Sequence, residues 1–223
     1  MEQSISVVHA DTDQRRLEIG RLWNTVLSRE LHYSEAALEE SALVREANAQ
    51  GRAFLAIDAK GHAVGTLSVD WWRGLDVSHR EISRYQLSRF STPFSSGSVV
   101  TARKWLILPS HRKTGAAFAL VRSTLLFTAT HKEIRFVVID GGPSMVDKYR
   151  KLGFRQYAPP FSYAGGELSV PMCLVLDDHR YLAQTNAFLL PCLIDCGYSD
   201  RAGARDDWTT VINGGYRAPA SGR

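Results

Sequence analysis

One stretch of this chain restricts its fold more than any other. Residues 98–140 read as an apolar strand, a basic turn, a long apolar helix and a second apolar strand. The first run, "SVVTARKWLIL" (98–108), meets Pro109. Arg112, Lys113 and Gly115 follow, and an apolar helix occupies about 115–130. "IRFVVID" (134–140) is then apolar almost without a break, the pattern of a strand covered on both faces. "GGPSMVDKYRKLG" (141–153) follows as a short helix with Pro143 near its start and Gly153 at its end. Strands at "FRQYAPPFSY" and "LSVPMCLVL" complete a strand–helix–strand–helix–strand centre. Such an order predicts local parallel pairing with right-handed crossovers in a mixed α/β domain.

The flanks add simpler elements. "DQRRLEIGRLWNTVLSREL" (13–31) is amphipathic, with Leu17, Leu22, Val26 and Leu27 near helical spacing and Trp23 beside them. Residues 34–49 form a second helix, with Ser34 as its N-cap and Gly51 past its end. Two strands, 53–59 and 63–72, flank "KGH", which predicts a hairpin. A short helix is expected around 79–90. "DDHRYLAQTNAFLLPCL" is a further helix or extended packing segment. Residues 1–196 are expected to form one domain, and 197–223 an arm or partly ordered tail.

The 223 residues are 44% hydrophobic and 22% charged, which suits a globular core. No run of 18 uncharged apolar residues predicts a membrane span, and the N-terminus lacks a signal-peptide pattern. Three cysteines, Cys173, Cys192 and Cys196, suit a reducing cytoplasm rather than a disulfide framework. Cys192 and Cys196 share a helix face but lack two further ligands nearby, so no metal is expected.

The net charge is +4, but it is unevenly spread. Between Ile82 and Lys132 there is no Asp or Glu. The same stretch holds Arg84, Arg89, Arg103, Lys104, Arg112, Lys113, Arg122 and Lys132, a local +8 that leaves −4 for the remainder. Such a segment attracts an anionic partner. Nucleic acid is not favoured, because no recognised binding motif is present.

The basic turn is where this charge acquires chemistry. The first N–H groups of a helix lack internal partners, and its dipole adds partial positive charge. With Gly115 permitting close approach and Arg112 and Lys113 adding full charges, the turn suits a pyrophosphate. The plainer reading is that Gly115 only lets the helix pack.

Arg112-Lys113-Thr114-Gly115-Ala116-Ala117 resembles the Arg/Gln-x-x-Gly-x-Gly/Ala loop of the GNAT N-acyltransferase superfamily. "YRKLGF" (149–154) resembles that superfamily's Tyr-x-x-x-Gly-Phe segment. "RLWNTVLSRELHY" (21–33), "YQLSRFSTPF" (85–94) and "VPMCLVLDDHRYL" (170–182) are similar to segments of long-chain N-acyl amino acid synthases, relatives of the acyl-homoserine lactone synthases. The resemblance implies a GNAT fold: a mixed central sheet with a splayed strand pair, flanked by helices. It implies transfer of an acyl group from acyl-CoA or an acyl carrier protein to the amine of a small molecule, amino acid or peptide, without a metal. The pantetheine arm would pair with the strand around Trp105, Leu106 and Ile107, and the pyrophosphate would sit on residues 112–117.

Tyr149 occupies the position that supplies a proton to the leaving thiolate in that superfamily. Its alternative is a core aromatic, since Met145, Val146, Tyr149 and Leu152 share one helical face. Many members of that superfamily carry a carboxylate base on the strand before the turn; here Ser98, Thr101 and Arg103 lie there, so either the amine's free-base fraction needs no strong base or a water relays the proton to Glu30 or Glu81. Asp70, Trp71 and Trp72 end a strand, and either tryptophan can wall an acyl pocket or pack in the core. His111 is expected to be solvated. An acidic carrier protein would dock on Arg84, Arg89 and Arg122. The alternatives are an acetyl-CoA-dependent N-acetyltransferase and a non-catalytic GNAT-like module that binds an acyl carrier.

Overall fold

The computed structural model describes residues 4–30, 52–72, 82–83, 85–90, 97–162, 168–202 and 208, without the side chains of 27–30. The expected helix at 34–49 lies outside them, and in the segment around 79–90, where a short helix was expected, Leu87–Phe90 form a 3₁₀ helix. Hydrogen-bonded strands run in the order β1-β2-β3-β4-β5-β8-β6, with β7 on β8. The chain divides into two compact units, Met1–Trp71 with Ala102–Thr128, and Trp72–Thr101 with Ala129–Arg223.

The first unit is antiparallel at its start. β1 (Ser6–His9), which the sequence reading left unassigned, pairs with β2 (Arg52–Ile57) from Ser6↔Ile57 to His9↔Phe54. β2 and β3 (Ala63–Trp72) form the expected hairpin. Its turn is held by Asp58, whose Oδ1 accepts the N–H groups of Lys60 and His62 at 2.9 Å each. α1 (Asp13–Glu30) packs Ile19, Leu22 and Trp23 against Ala10 and Leu55. Leu17 is instead exposed. Leu22, Trp23 and Val26 lie on the expected face, which Ile19 joins in place of Leu17. β3 is buried for nine consecutive residues, polar Thr66, Ser68 and Asp70 included.

β4 (Val99–Ile107) begins in the second unit and ends in the first. In the first unit it leads to α2 (Ala116–Ala129). The buried face of α2 is Ala116, Leu120, Thr124 and Thr128, with Leu125 beside them. Phe118 is 44% exposed on the opposite side, so the buried row runs through two threonines whose hydroxyls do not register as apolar in the sequence.

In the second unit, β4 and β5 (Phe136–Gly141) pair in parallel over three rungs, Val99↔Phe136 to Thr101↔Val138. The parallel expectation fails at the next step. β8 (Leu168–Val175) lies antiparallel between β5 and β6 (Arg155–Gln156), while β7 (Phe161–Ser162) also pairs with β8. Burial explains this insertion. Seven of the eight β8 residues are buried, so β8 needs cover on both faces and partners on both edges. The two-residue, polar β6 suits an edge. Phe90, Phe136, Val138, Tyr157, Cys173 and Val175 form the core here, with the Phe90 ring edge-on to Phe136 and Tyr157.

α3 (Val146–Leu152) follows a 3₁₀ turn at Pro143–Met145 and ends at Gly153. α4 (His179–Gln184) and α5 (Leu190–Asp195) are two short helices where one segment was expected. The start of the expected arm is anchored. Asp200 accepts the His179 N–H at 3.0 Å, and Arg201 Nε donates to Asp177 at 2.6 Å. Arg155 is stacked between the rings of Tyr181 and Trp208.

Gly153 supplies a direct stability test. Its φ is +107°, and a Cβ there would lie 2.4 Å from Leu182 Cδ2 and 3.1 Å from the Ala187 Cβ. Gly61 has φ +84° with nothing within 4 Å. Gly153→Ala should cost about 2–4 kcal/mol, through left-handed strain plus overpacking, and Gly61→Ala about 1 kcal/mol through strain alone. Equilibrium denaturation of both variants measures the difference.

Candidate functional site

The candidate groups fall into two sets, one in each unit. In the first unit, Trp105, Leu106 and Ile107 close β4, and residues 112–117 follow after a 3₁₀ turn at Pro109–His111. The Leu108 N–H bonds the Val64 carbonyl at 2.9 Å, which fixes where the turn begins. Thr114 then folds back, its hydroxyl donating to the His111 carbonyl at 2.8 Å. Gly115 has φ +82°, and a Cβ there would meet nothing within 4 Å. Glycine is therefore required by conformation, not by crowding, and the space beside it is open. The Gly115 carbonyl accepts the Ala119 N–H at 2.9 Å, so the first turn of α2 starts here with its leading N–H groups unclaimed by the helix. Ala116 is fully buried, while Arg112 and Lys113 are exposed. The nine residues expected to hold the donor thus lie on one continuous strand–turn–helix.

His111 departs from expectation. It is only partly exposed: its Nδ1 lies 2.9 Å from Ser110 Oγ and its Nε2 lies 4.0 Å from Asp58 Oδ2. The hairpin turn thereby braces the basic turn. Asp58 itself is held below the usual carboxylate range, first by the His62 N–H bond.

Within β4, Lys104 has φ +53°, a left-handed residue inside a strand. Such a residue breaks the regular pleat and re-aims its neighbours. Arg103 beside it forms a 3.0 Å ion pair with Asp70, both side chains largely buried at 16% and 5% exposure. Asp70 on β3 is thus engaged by Arg103 of β4. Trp71 and Trp72 are both buried. Trp72 packs in the core of the second unit and donates its Nε1–H to Thr101 Oγ1.

In the second unit, Tyr149 lies on α3 with its ring against the Gly141 backbone, where a Cβ would come within 2.6 Å of Tyr149 Cε2. Burial, then the charge of Asp140, pushes its phenol up to about 12. Asp140 stands at the end of β5. Its Oδ1 accepts the Tyr85 hydroxyl at 2.8 Å and its Oδ2 the Ser169 hydroxyl at 2.6 Å. The sequence reading passed over Asp140. The available signal was an acid ending a strand whose preceding residues are all apolar, just before Gly141-Gly142.

Glu30 is the last residue of α1, its side chain outside the described residues, and Glu81 and Arg84 lie outside them altogether. Two of the expected docking cations are described, one in each unit. Arg122 is exposed on α2, whereas Arg89 is partly buried and donates Nε–H to Gln86 at 2.8 Å.

No family model matches the chain, and no curated protein matches it. Its fold has clear counterparts among solved structures. The structure of FeeM, an N-acyl amino acid synthase from uncultured soil microbes, aligns with a TM-score of 0.66 at 16% identity, covering 85% of this chain and 98% of that one. An acetyltransferase of the GNAT family from Staphylococcus aureus aligns at 0.52 and 10% identity, covering 77% and 99%. ElaA of Escherichia coli aligns at 0.52 and 12% identity, with the same coverages. The chain has the GNAT fold.

Tyr149 should leave a mark on alkaline stability. Its folded pKa is raised from 10.0 to about 12, so the folded chain holds this proton more tightly than the unfolded chain. The resulting stability is fully present below pH 10 and is lost as pH rises through about 12. The expected loss is roughly 2–3 kcal/mol over that window. Tyr149→Phe should flatten this part of the curve, as read from denaturant midpoints at closely spaced pH values.

Proposed function

We propose that this GNAT-fold chain is an N-acyltransferase that moves a fatty acyl group from a thioester, carried by acyl carrier protein or CoA, to an amine. The acceptor class is a small molecule, amino acid or peptide. The observation that carries this reading is the turn at Gly115: a left-handed glycine beside open space, at the start of a helix, flanked by two exposed cations. In the proposal, residues 112–117 receive the donor's phosphates and Trp105, Leu106 and Ile107 its pantetheine arm. The likeness to an N-acyl amino acid synthase supports an amino acid as acceptor.

Tyr149 serves the leaving sulfur. A phenol near pKa 12 keeps its proton at neutral pH. Complete transfer to a thiolate of pKa about 8.5 is uphill by roughly 4–5 kcal/mol. Its role in the proposal is therefore a hydrogen bond to the developing thiolate, with the final proton drawn from solvent.

The exposed face of α2 supports the carrier protein as donor. Phe118, Arg122 and Leu126 are exposed at i, i+4 and i+8, so they share one face, and Lys113 and Arg112 precede them. An acidic protein matches such a basic and apolar stripe in charge.

Two measurements test the reading. Gly115→Asp should weaken donor binding at least tenfold, about 1.4 kcal/mol, because a charged side chain enters the space the phosphates would use. Unchanged donor affinity in a folded variant removes the loop assignment. Product mass spectrometry with a long-chain acyl carrier protein and with acetyl-CoA then decides the donor. The carrier should be preferred, and Arg122→Glu should slow it far more than CoA donors. Rising salt should act likewise, since surface steering is screened over a Debye length of about 8–10 Å. Efficient turnover of acetyl-CoA alone establishes the acetyltransferase instead, and donor binding without transfer to any amine establishes a carrier-binding module.

A further inference from the structure

We propose that Asp58 and His111 are a positioning pair for the donor: the β2–β3 hairpin turn, acting through Asp58 on His111, holds residues 112–117 in the shape that receives the donor's phosphates, and a bound donor tightens the hairpin in return. The inference rests on the donor-turn assignment of the acyltransferase reading and lies wholly within the first unit.

The backbone of His111 is the first argument. Its N–H donates to the Leu108 carbonyl at 2.8 Å, just past the end of β4. Its carbonyl accepts the Thr114 N–H at 3.2 Å and the Thr114 hydroxyl at 2.8 Å. One residue therefore ties the end of the strand to the residue before Gly115. Any rotation at His111 passes through Thr114 to Gly115, whose φ of +82° and open surroundings offer little resistance.

The second argument is how the His111 ring is held. Its Nδ1 lies 2.9 Å from Ser110 Oγ. With that hydroxyl donating, the proton of the neutral imidazole sits on Nε2, the nitrogen nearer Asp58. Nε2 is 4.0 Å from Asp58 Oδ2, too far for a hydrogen bond, so the attraction in the free chain is electrostatic. Both side chains are largely covered, at 16% and 14% exposure, and solvent screens such a contact less than a surface pair.

The third argument is how firmly Asp58 belongs to the hairpin. Its N–H donates to the His62 carbonyl and its carbonyl accepts the Gly61 N–H, at 3.0 Å each. Its Oδ1 accepts the Lys60 and His62 N–H groups. Its Oδ2 is turned to two histidines, His62 Nδ1 at 3.5 Å and His111 Nε2 at 4.0 Å. The His62 side chain is 72% exposed, so water competes for that contact and His111 is the sheltered partner. Asp58 cannot shift relative to His111 unless the hairpin turn shifts with it.

The sign of the charge separates positioning from attraction. Asp58 is an anion beside a turn that suits anions. By charge alone it weakens phosphate binding, so a favourable contribution to the donor comes from the ring it orients. Coupling of this kind is reciprocal: what the hairpin contributes to donor affinity, the donor contributes to hairpin stability.

The probes are free CoA and a holo acyl carrier protein, each titrated calorimetrically into the full chain. His111→Ala should weaken binding of each probe that the parent binds by about five- to tenfold. His111→Gln, whose amide N–H replaces that of the ring, should recover most of the loss. Asp58→Asn keeps an oxygen for the Lys60 and His62 N–H groups and removes the charge. Charge alone would tighten binding of an anionic donor in this variant, whereas positioning weakens it by about fivefold. Hydrogen exchange reads the reverse direction. The bound probe should slow exchange of the Lys60 and His62 N–H groups in the parent by a similar factor and leave it unchanged in His111→Ala. If His111→Ala does not fold by near-UV circular dichroism, Asp58→Asn decides. Parent-like or tighter binding in Asp58→Asn, or Lys60 and His62 N–H groups that do not respond to the probe in the parent, overturns this inference alone, since Gly115→Asp reports on the turn separately. Failure of the parent to bind either probe overturns the loop assignment and this inference together.

Discussion

Six antiparallel rungs between β5 and β8, from Phe136↔Val175 to Gly141↔Val170, set the position of nearly every candidate group in the second unit. A one-residue slip would send Val138 and Cys173 out of the core and turn Asp140 to the other face. Burial on both faces makes such a slip costly, so the register is fixed by the apolar residues and the polar ones ride on it. Asp140 owes its place to Phe136–Ile139, and Ser169 owes its place to Val170–Val175. Tyr85 reaches the same carboxylate from the segment whose Leu87 and Phe90 are anchored in that core.

The first unit depends on a different constraint, the close approach of β3 to β4 and α2. A Cβ on Gly65 would lie 2.5 Å from Ile107 Cδ1 and 3.0 Å from the Leu106 carbonyl. Glycine at that point lets the end of β4 lie against β3, and the Leu108–Val64 bond then fixes where the strand stops and the basic turn begins. The hairpin contributes again through Asp58, which faces His111 from the other side of the turn. The phosphate-type turn is thus shaped by β3 and its hairpin as well as by its own glycine.

Charge in this protein is less collective than its distribution along the chain suggests. Several cations of the acid-free stretch 82–132 are engaged by neighbours within their own unit. Arg103 is consumed by Asp70 in a largely buried ion pair, and Arg89 turns toward Gln86. Lys104 lies over the Trp23 ring. Arg112, Lys113, Arg122 and Lys132 are exposed among the described residues, the first three at and just after the turn. A buried guanidinium stabilises its carboxylate partner, whereas only an exposed one can steer an anionic ligand.

Local chemistry was enough to place the strand–turn–helix at 99–129, the β2–β3 hairpin, α1 and the Gly153 cap. Each of these depends on contacts a few residues apart: a left-handed glycine, helix N–H groups, an Asp in a turn. The left-handed turn at Gly115 was legible for the same reason, whereas Tyr149 was singled out by its resemblance to a short family motif. The insertion of β8 between β5 and β6 was not legible, because nothing near residue 170 states which edge a doubly buried strand will choose. That choice belongs to the whole sheet, which must cover two apolar faces at once. Asp140 was missed for an equivalent reason. Tyr85 and Ser169 lie 55 and 29 residues from it in sequence. An isolated aspartate becomes a chemically defined carboxylate only when the fold brings two distant hydroxyls to its two oxygens.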